Sequence, residues 1–300
     1  MTFSASEAAM EGFRIARREP RTVLVWSLLQ LILAVASTVV MLPYMRPLMA
    51  LQSLRTPGAA PPTPAEAMVT LEPMFGMIAV MIPIELVFLS VMSAAVYRAV
   101  LRPEDKGLAR LRLGGDELRM GILWIELGLF VWAAGVLALL AMVVLGGLLV
   151  AATKGSPADL LGLVAGAYVV VAAGMAWLLV RFSMAAPLTF ATRHVQLFSA
   201  WRLTKGRSWS LFGCYLLTFI FLVMIGITQL FAGSIAALAM HDVGGFMHPD
   251  YRSLQAYFTP VRLVALLVSA LLGGLYWAVA LAPAAVAYQA LAGTGERPRV

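Results

Sequence analysis

Six runs of apolar residues, each long enough to cross a bilayer as a helix, leave this chain few alternatives. They extend approximately over 22–44, 74–97, 120–152, 160–187, 210–240 and 261–291. A helix needs about 20 residues to span roughly 30 Å of hydrocarbon, and every run meets that length. With 61% of residues hydrophobic and 12% charged, there is too little polar surface to wrap a soluble globule of 300 residues. No polar stretch between the runs is long enough to fold alone. The sequence therefore predicts one all-α integral membrane domain over 1–300, built as three transmembrane hairpins. A cytoplasmic amphipathic N-terminus is expected at 1–21 and a cytoplasmic tail at 292–300.

Loop charge sets the expected orientation. The side holding both termini receives 17 of the 22 Lys and Arg residues, and the opposite side only Arg46, Arg55, Lys154, Arg252 and Arg262. Such an asymmetry over short loops predicts both termini in the cytoplasm. The net charge of +7 does not point to nucleic acid, because the cations cluster in short loops between apolar runs. The phospholipid bilayer is the partner the sequence requires. Ala34-Val35-Ala36 has the form of a signal-peptidase site, but the run continues to Tyr44 and Glu7, Glu11 and Glu19 precede it. The first span is expected to stay uncleaved. Cys214, the single cysteine, excludes an intramolecular disulfide and a thiolate metal cluster.

Between the runs, Pro57-Gly58 through Pro64 favours an extended outer linker, and the short turn Lys154 to Pro157 makes spans three and four antiparallel neighbours. Spans three and five exceed the bilayer thickness, so they tilt, project beyond the membrane or break, with Gly146-Gly147 and Gly226 as candidate break points. A threefold repeat is suggested by spacing. Phe13-Arg14-Ile15, Leu111-Arg112-Leu113 and Trp201-Arg202-Leu203 each stand nine residues before a span, and Tyr97, Thr192 and Tyr288 mark similar inner ends of the even spans. Each hairpin would then be preceded by a cytoplasmic interfacial helix, over 4–18 and 107–119 for the first two. Ser4 and Glu7 match a capping box in the first, while Gly114-Gly115 interrupts the second. Arg14, Arg112, Arg202 and Lys205 would lie at the membrane surface. They serve either as a topology-setting collar or as a docking surface for anionic lipid head groups or a protein partner.

Glu85 is the most informative ionisable residue, since it falls near the middle of span two, where an unpaired charge costs several kcal/mol. It marks either a proton-linked or polar-substrate site, loosened by Pro83, or a neutral acid bonded between helices. Glu126 and Arg181 lie at matching depths in spans three and four and predict a hairpin-fixing ion pair. His241, Asp242, His248 and Asp250 form a local cluster of metal-type side chains, but their spacing matches no specific motif and a glycine-containing polar outer loop is the preferred reading. Gly162 and Gly166, and the alanines of 278–287, predict close helix packing. No phosphate-binding loop, nucleophile elbow, zinc-helix motif or catalytic carboxylate pair occurs, and no cofactor is implied. The expectation is a non-enzymatic scaffold or partner subunit; the alternative is a small transporter or lipid-handling protein with a central site near Glu85.

At Ala186-Pro187 and across Ser199 to Phe212, with Trp201-Arg202-Leu203-Thr204-Lys205-Gly206 and Trp209 at its centre, the chain resembles a loose group of bacterial six-span membrane proteins. These include uncharacterised families and the membrane domain attached to some glycerophosphoryl diester phosphodiesterases. The resemblance implies a multi-pass protein of the bacterial inner membrane. The phosphodiesterase domain has no counterpart in this sequence, so hydrolysis does not carry over.

Overall fold

A computed structural model describes residues 4–54, 63–105, 107–153 and 157–293, and among these the regular structure is entirely helical. Two short helices, α1 (Ala5–Ala9) and α2 (Glu11–Arg18), lead into α3 (Pro20–Leu54), and α4 (Pro64–Leu101) completes the first hairpin. The second hairpin is α5 (Gly115–Thr153) and α6 (Pro157–Phe182), extended by α7 (Ala185–Thr192). The third begins with α8 (Ser199–Leu203) and α9 (Ser208–Ala239). It passes through α10 (Val243–Met247) and α11 (Leu254–Tyr257) and closes with α12 (Pro260–Ala292). Six segments of 29 to 41 residues are long and apolar enough to cross a membrane. The protein is a multi-pass membrane protein embedded in a lipid bilayer.

The helix ends alternate between two poles. At one pole the Val100 carbonyl accepts from Gln289 (3.1 Å), the Phe190 carbonyl from Arg102 (3.0 Å) and the Arg181 carbonyl from Thr204 (3.3 Å), while Arg110 pairs with Glu19. We call this the basic pole. At the other, Arg46 donates to the Tyr251 carbonyl (3.2 Å), and Arg262 donates to the carbonyls of Gly245 (2.9 Å) and Phe246 (2.7 Å).

Helix α12 is the central element, packing on α3, α4 and α9. Small residues permit this. Ala278, Ala282 and Ala285 are wholly buried, and a Cβ at Gly274 would fall 2.3 Å from the Val23 carbonyl oxygen. The Ser27 hydroxyl donates to the Leu271 carbonyl (2.8 Å) and accepts from the Gly274 N–H (3.2 Å), fixing the α3–α12 register. Burial concentrates near the basic pole, in Met92 and Ala94–Tyr97 of α4, Met120 and Leu123 of α5, and Phe182. Toward the other pole α4, α5 and α6 present Ile82, Leu137, Val143 and Val170 outward, while α4 stays against α3, where a Cβ at Gly76 would fall 2.7 Å from the Tyr44 ring.

Several expectations need correction. The N-terminal segment packs one face on the bundle and leaves Met10, Arg14, Arg17 and Arg18 exposed. Ser4 caps α1, but Ala8, Ala9 and Gly12 are buried against α9 and α12, and a Cβ at Gly12 would fall 2.4 Å from the Val279 Cα. No continuous helix forms over 107–119. Ala109 and Arg110 adopt left-handed angles (φ 46° and 61°), which turn the chain after a single 3-10 turn at Leu108–Arg110, and α5 starts at Gly115. Helices α5 and α9 pass Gly146-Gly147 and Gly226 unbroken. Span four breaks instead, at 183–184, because Pro187 has no N–H for the Ser183 carbonyl and its ring crowds that group. Gly162 and Gly166 face open space, so within the chain they mediate no close packing. The linker at 57–62 and the turn at 154–156 lie outside the described residues, as does the tail from 294.

Candidate functional site

The densest polar constellation is a network of arginines and carboxylates at the basic pole. Arg98 and Arg102 stand one turn apart at the C-terminal end of α4, while Asp116 and Glu117 occupy the first turn of α5. Both placements suit the helix dipoles. Arg98 is 1% exposed and donates to Glu117 at 2.6 Å and to the Arg110 carbonyl. Asp105 lies 3.7 Å from Arg98 and also pairs with Arg112. Arg102 and Arg119 each bond Asp116 at 3.0 Å. The left-handed turn at 109–110 sends Arg110 inward, where it bonds Glu19 (Nε–Oε2 3.0 Å) and the carbonyls of Arg102, Pro103 and Asp105. The Phe190 ring packs under Arg102 at 4.5 Å. Five arginines and four carboxylates thus join the start of α3, the end of α4, the start of α5 and α7. Every one of these arginines bonds a carboxylate, so the network acts as a clamp on helix positions.

Arg112, expected at the membrane surface, is half-exposed but neutralised by Asp105. Arg14 is exposed and pairs with Glu11 at 3.3 Å. Arg202 and Lys205 are exposed and make no ion pair. Their surroundings differ in charge from the network, for no Asp or Glu occurs from residue 160 to residue 241.

The expected Glu126–Arg181 ion pair does not form. Arg181 turns away from α5 into a box of two indoles, its guanidinium 5.2 Å from the Trp177 ring and 5.0 Å from that of Trp201. There its Nε and Nη1 are buried without hydrogen-bond acceptors. The aromatic faces supply the attraction that a carboxylate was expected to give. Glu126 is exposed on the outer surface of α5.

Glu85 is likewise exposed on the outer face of α4, roughly 24 Å by helix rise from the end of that helix at the basic pole. It bonds no other described residue. Ile82 and Val87 beside it are about 60% exposed (60% and 61%), so its surroundings are apolar. Three cavities open between helices. A groove of about 840 Å³ runs along α3 and α4 under Arg112 and includes Pro83 and Val87. A second, of about 410 Å³, separates α6 from α9. A third, of about 230 Å³, carries the polar groups of Gln30, Gln229 and Ser269. There Gln30 accepts from the Trp277 indole at 2.8 Å and Gln229 donates to the Ser269 carbonyl at 3.3 Å. Glu85 lines none of these three.

The metal-type cluster does not converge either. Asp242 caps α10 by accepting from the Gly245 N–H at 2.9 Å, and Asp250 takes the Arg252 guanidinium at 2.6 Å. Those hydrogen bonds from Arg252 hold the Asp250 carboxyl below its ordinary range. Among the described residues no three metal-type side chains are placed to share an ion.

Sequence reasoning missed the paired character of the basic loop. The signal was available: Asp105, Asp116 and Glu117 alternate with the arginines over 98–119, a mixture that a count of positive charge alone discards. No family model, curated protein or solved structure matches the chain.

Proposed function

We propose that the protein is a non-catalytic scaffold or partner subunit of a bacterial inner membrane, with both termini in the cytoplasm, and that it meets a membrane partner through the outer face of α4. Glu85 carries this reading. A carboxyl at mid-span facing lipid costs several kcal/mol when ionised and loses its hydrogen bonds when neutral. A donor on a neighbouring membrane helix relieves both. The carrier alternative asks for Glu85 on the wall of a central cavity; of the three grooves described, the one along α3 and α4 is lined by its neighbours Pro83, Ile84 and Val87 and none by Glu85 itself.

The orientation is supported by the charge asymmetry, now attached to alternating helix ends. The inner-membrane assignment rests on the resemblance across Ser199 to Phe212. A threefold repeat is supported by the short helical stretch before each odd span: α2 before α3, the 3-10 turn before α5 and α8 before α9.

A photo-crosslinking residue at Ile82, one turn from Glu85, tests the proposal in native membranes. A discrete protein adduct is expected, weakened several-fold by Glu85→Leu and retained by Glu85→Gln. Adducts with lipid alone, or a protein adduct indifferent to Glu85→Leu, would overturn it.

A further inference from the structure

We propose that the groove between α6 and α9 binds an anionic phospholipid, with an acyl chain between the helices and the phosphate on the basic turn that joins α8 to α9. This is independent of the partner face on α4. The groove is walled by Leu179, Val180 and Ser183 on one side and Phe212, Tyr215 and Leu216 on the other. Its volume of about 410 Å³ lies within the range of small-molecule sites, about 300–1,000 Å³. Leu179, Phe212 and Leu216 are 40–51% exposed, so the groove is open to the surrounding lipid.

Its end at the basic pole is closed by one turn. Thr204 is fully buried and donates to the Arg181 carbonyl at 3.3 Å, and Ser208 donates to the Thr204 carbonyl at 3.1 Å. The turn therefore ties the last residues of α6 to the first of α9. Arg202 and Lys205, on either side of Thr204, are exposed at that closed end.

Charge selects the occupant. The arginines of 98–119 are consumed by Asp105, Asp116, Glu117 and Glu19, and at the opposite pole Arg252 is held by Asp250, Arg46 and Arg262 by backbone carbonyls. Around Arg202 and Lys205 the chain supplies no acid from 160 to 241. Arg202 and Lys205 make no ion pair with any described residue, and a lipid phosphate, the anion always present at this depth, is the counter-charge we assign to them. Trp209 and Phe198, 85% and 69% exposed, place aromatic rings beside the turn at the level where head groups begin.

A polar group waits one step deeper. The Tyr215 hydroxyl is buried on the wall of this groove, with the Ser183 hydroxyl as its polar neighbour. Tyr215 lies seven residues into α9, roughly 10 Å below the turn by helix rise. The polar region of a bilayer leaflet is about 5–8 Å deep, so with a lipid phosphate at the turn this side chain lies just below that layer, beside the first methylenes of the acyl chain.

The test uses the full-length protein in neutral detergent, with lipid retention read by native mass spectrometry. Phosphatidylglycerol, phosphatidylcholine with the same acyl chains and inorganic phosphate are the probes. Phosphatidylglycerol should be retained well above phosphatidylcholine, and inorganic phosphate should not displace it at equal concentration. The double variant Arg202→Gln/Lys205→Gln should lower phosphatidylglycerol retention about 10- to 30-fold, as expected for two interfacial cations. Leu216→Trp, which fills the groove and leaves charge unchanged, should lower it as well. Equal retention of the two lipids, displacement by inorganic phosphate, or full retention by either variant would overturn the proposal.

Discussion

Arg98 is almost completely withdrawn from solvent and depends on Glu117 for its counter-charge. Removing either partner strands the other, so Arg98→Ala and Glu117→Ala should each destabilise the protein by about 3–5 kcal/mol. The pair removed together should lose less than the two single losses added, which a double-mutant cycle on unfolding in detergent measures. Additive losses would mean that the two side chains do not act as a unit. At this scale the sequence was legible in identity and opaque in pairing. Arg112 is half-exposed, but nothing in its spacing announced that Asp105 neutralises it. Arg181 was expected opposite Glu126 because their depths agree along the hairpin. Depth says nothing of direction around a helix, and Trp177 and Trp201 lie on the side to which Arg181 turns.

At the scale of elements, the long helices were legible because about 20 apolar residues in sequence have no other outlet. The short ones were not. An amphipathic pattern over 4–18 fits a membrane surface and a groove between helices equally well, and small residues decided the outcome. Gly12 lets α2 approach the α12 backbone at Val279, Ala8 and Ala9 pack beside Cys214, and Phe13 meets Phe221 edge-on at 5.2 Å. The N-terminal helices therefore plug the α9–α12 seam. Deleting residues 1–18 should expose Cys214, seen as rapid labelling by a membrane-permeant maleimide where the intact chain labels slowly. Equal labelling of the two would place α1 and α2 outside the seam. The break in span four was half legible, since Pro187 was identified as its end. The ring acts on the carbonyl four residues earlier, so the bend falls at 183–184 and α7 continues beyond.

At the scale of the whole molecule, the ionic network at one pole ties the start of α3, the end of α4 and the start of α5, while α12 packs along α3, α4 and α9. Hydropathy made the number of spans readable, and loop charge made their alternation readable. Which faces of α4, α5 and α6 turn outward was hidden, because lipid-facing and protein-facing leucines are the same residue in a sequence. The central claim is an even number of crossings, six, with the basic pole in the cytoplasm. Paired reporters test it most directly: a periplasm-active phosphatase and a cytoplasm-active fluorescent protein, each fused after residue 300 and each inserted at residues 154–156. The account predicts fluorescence without phosphatase activity at the C-terminus and phosphatase activity without fluorescence at 154–156. Phosphatase activity at the C-terminus, or the same reporter active at both positions, would contradict it.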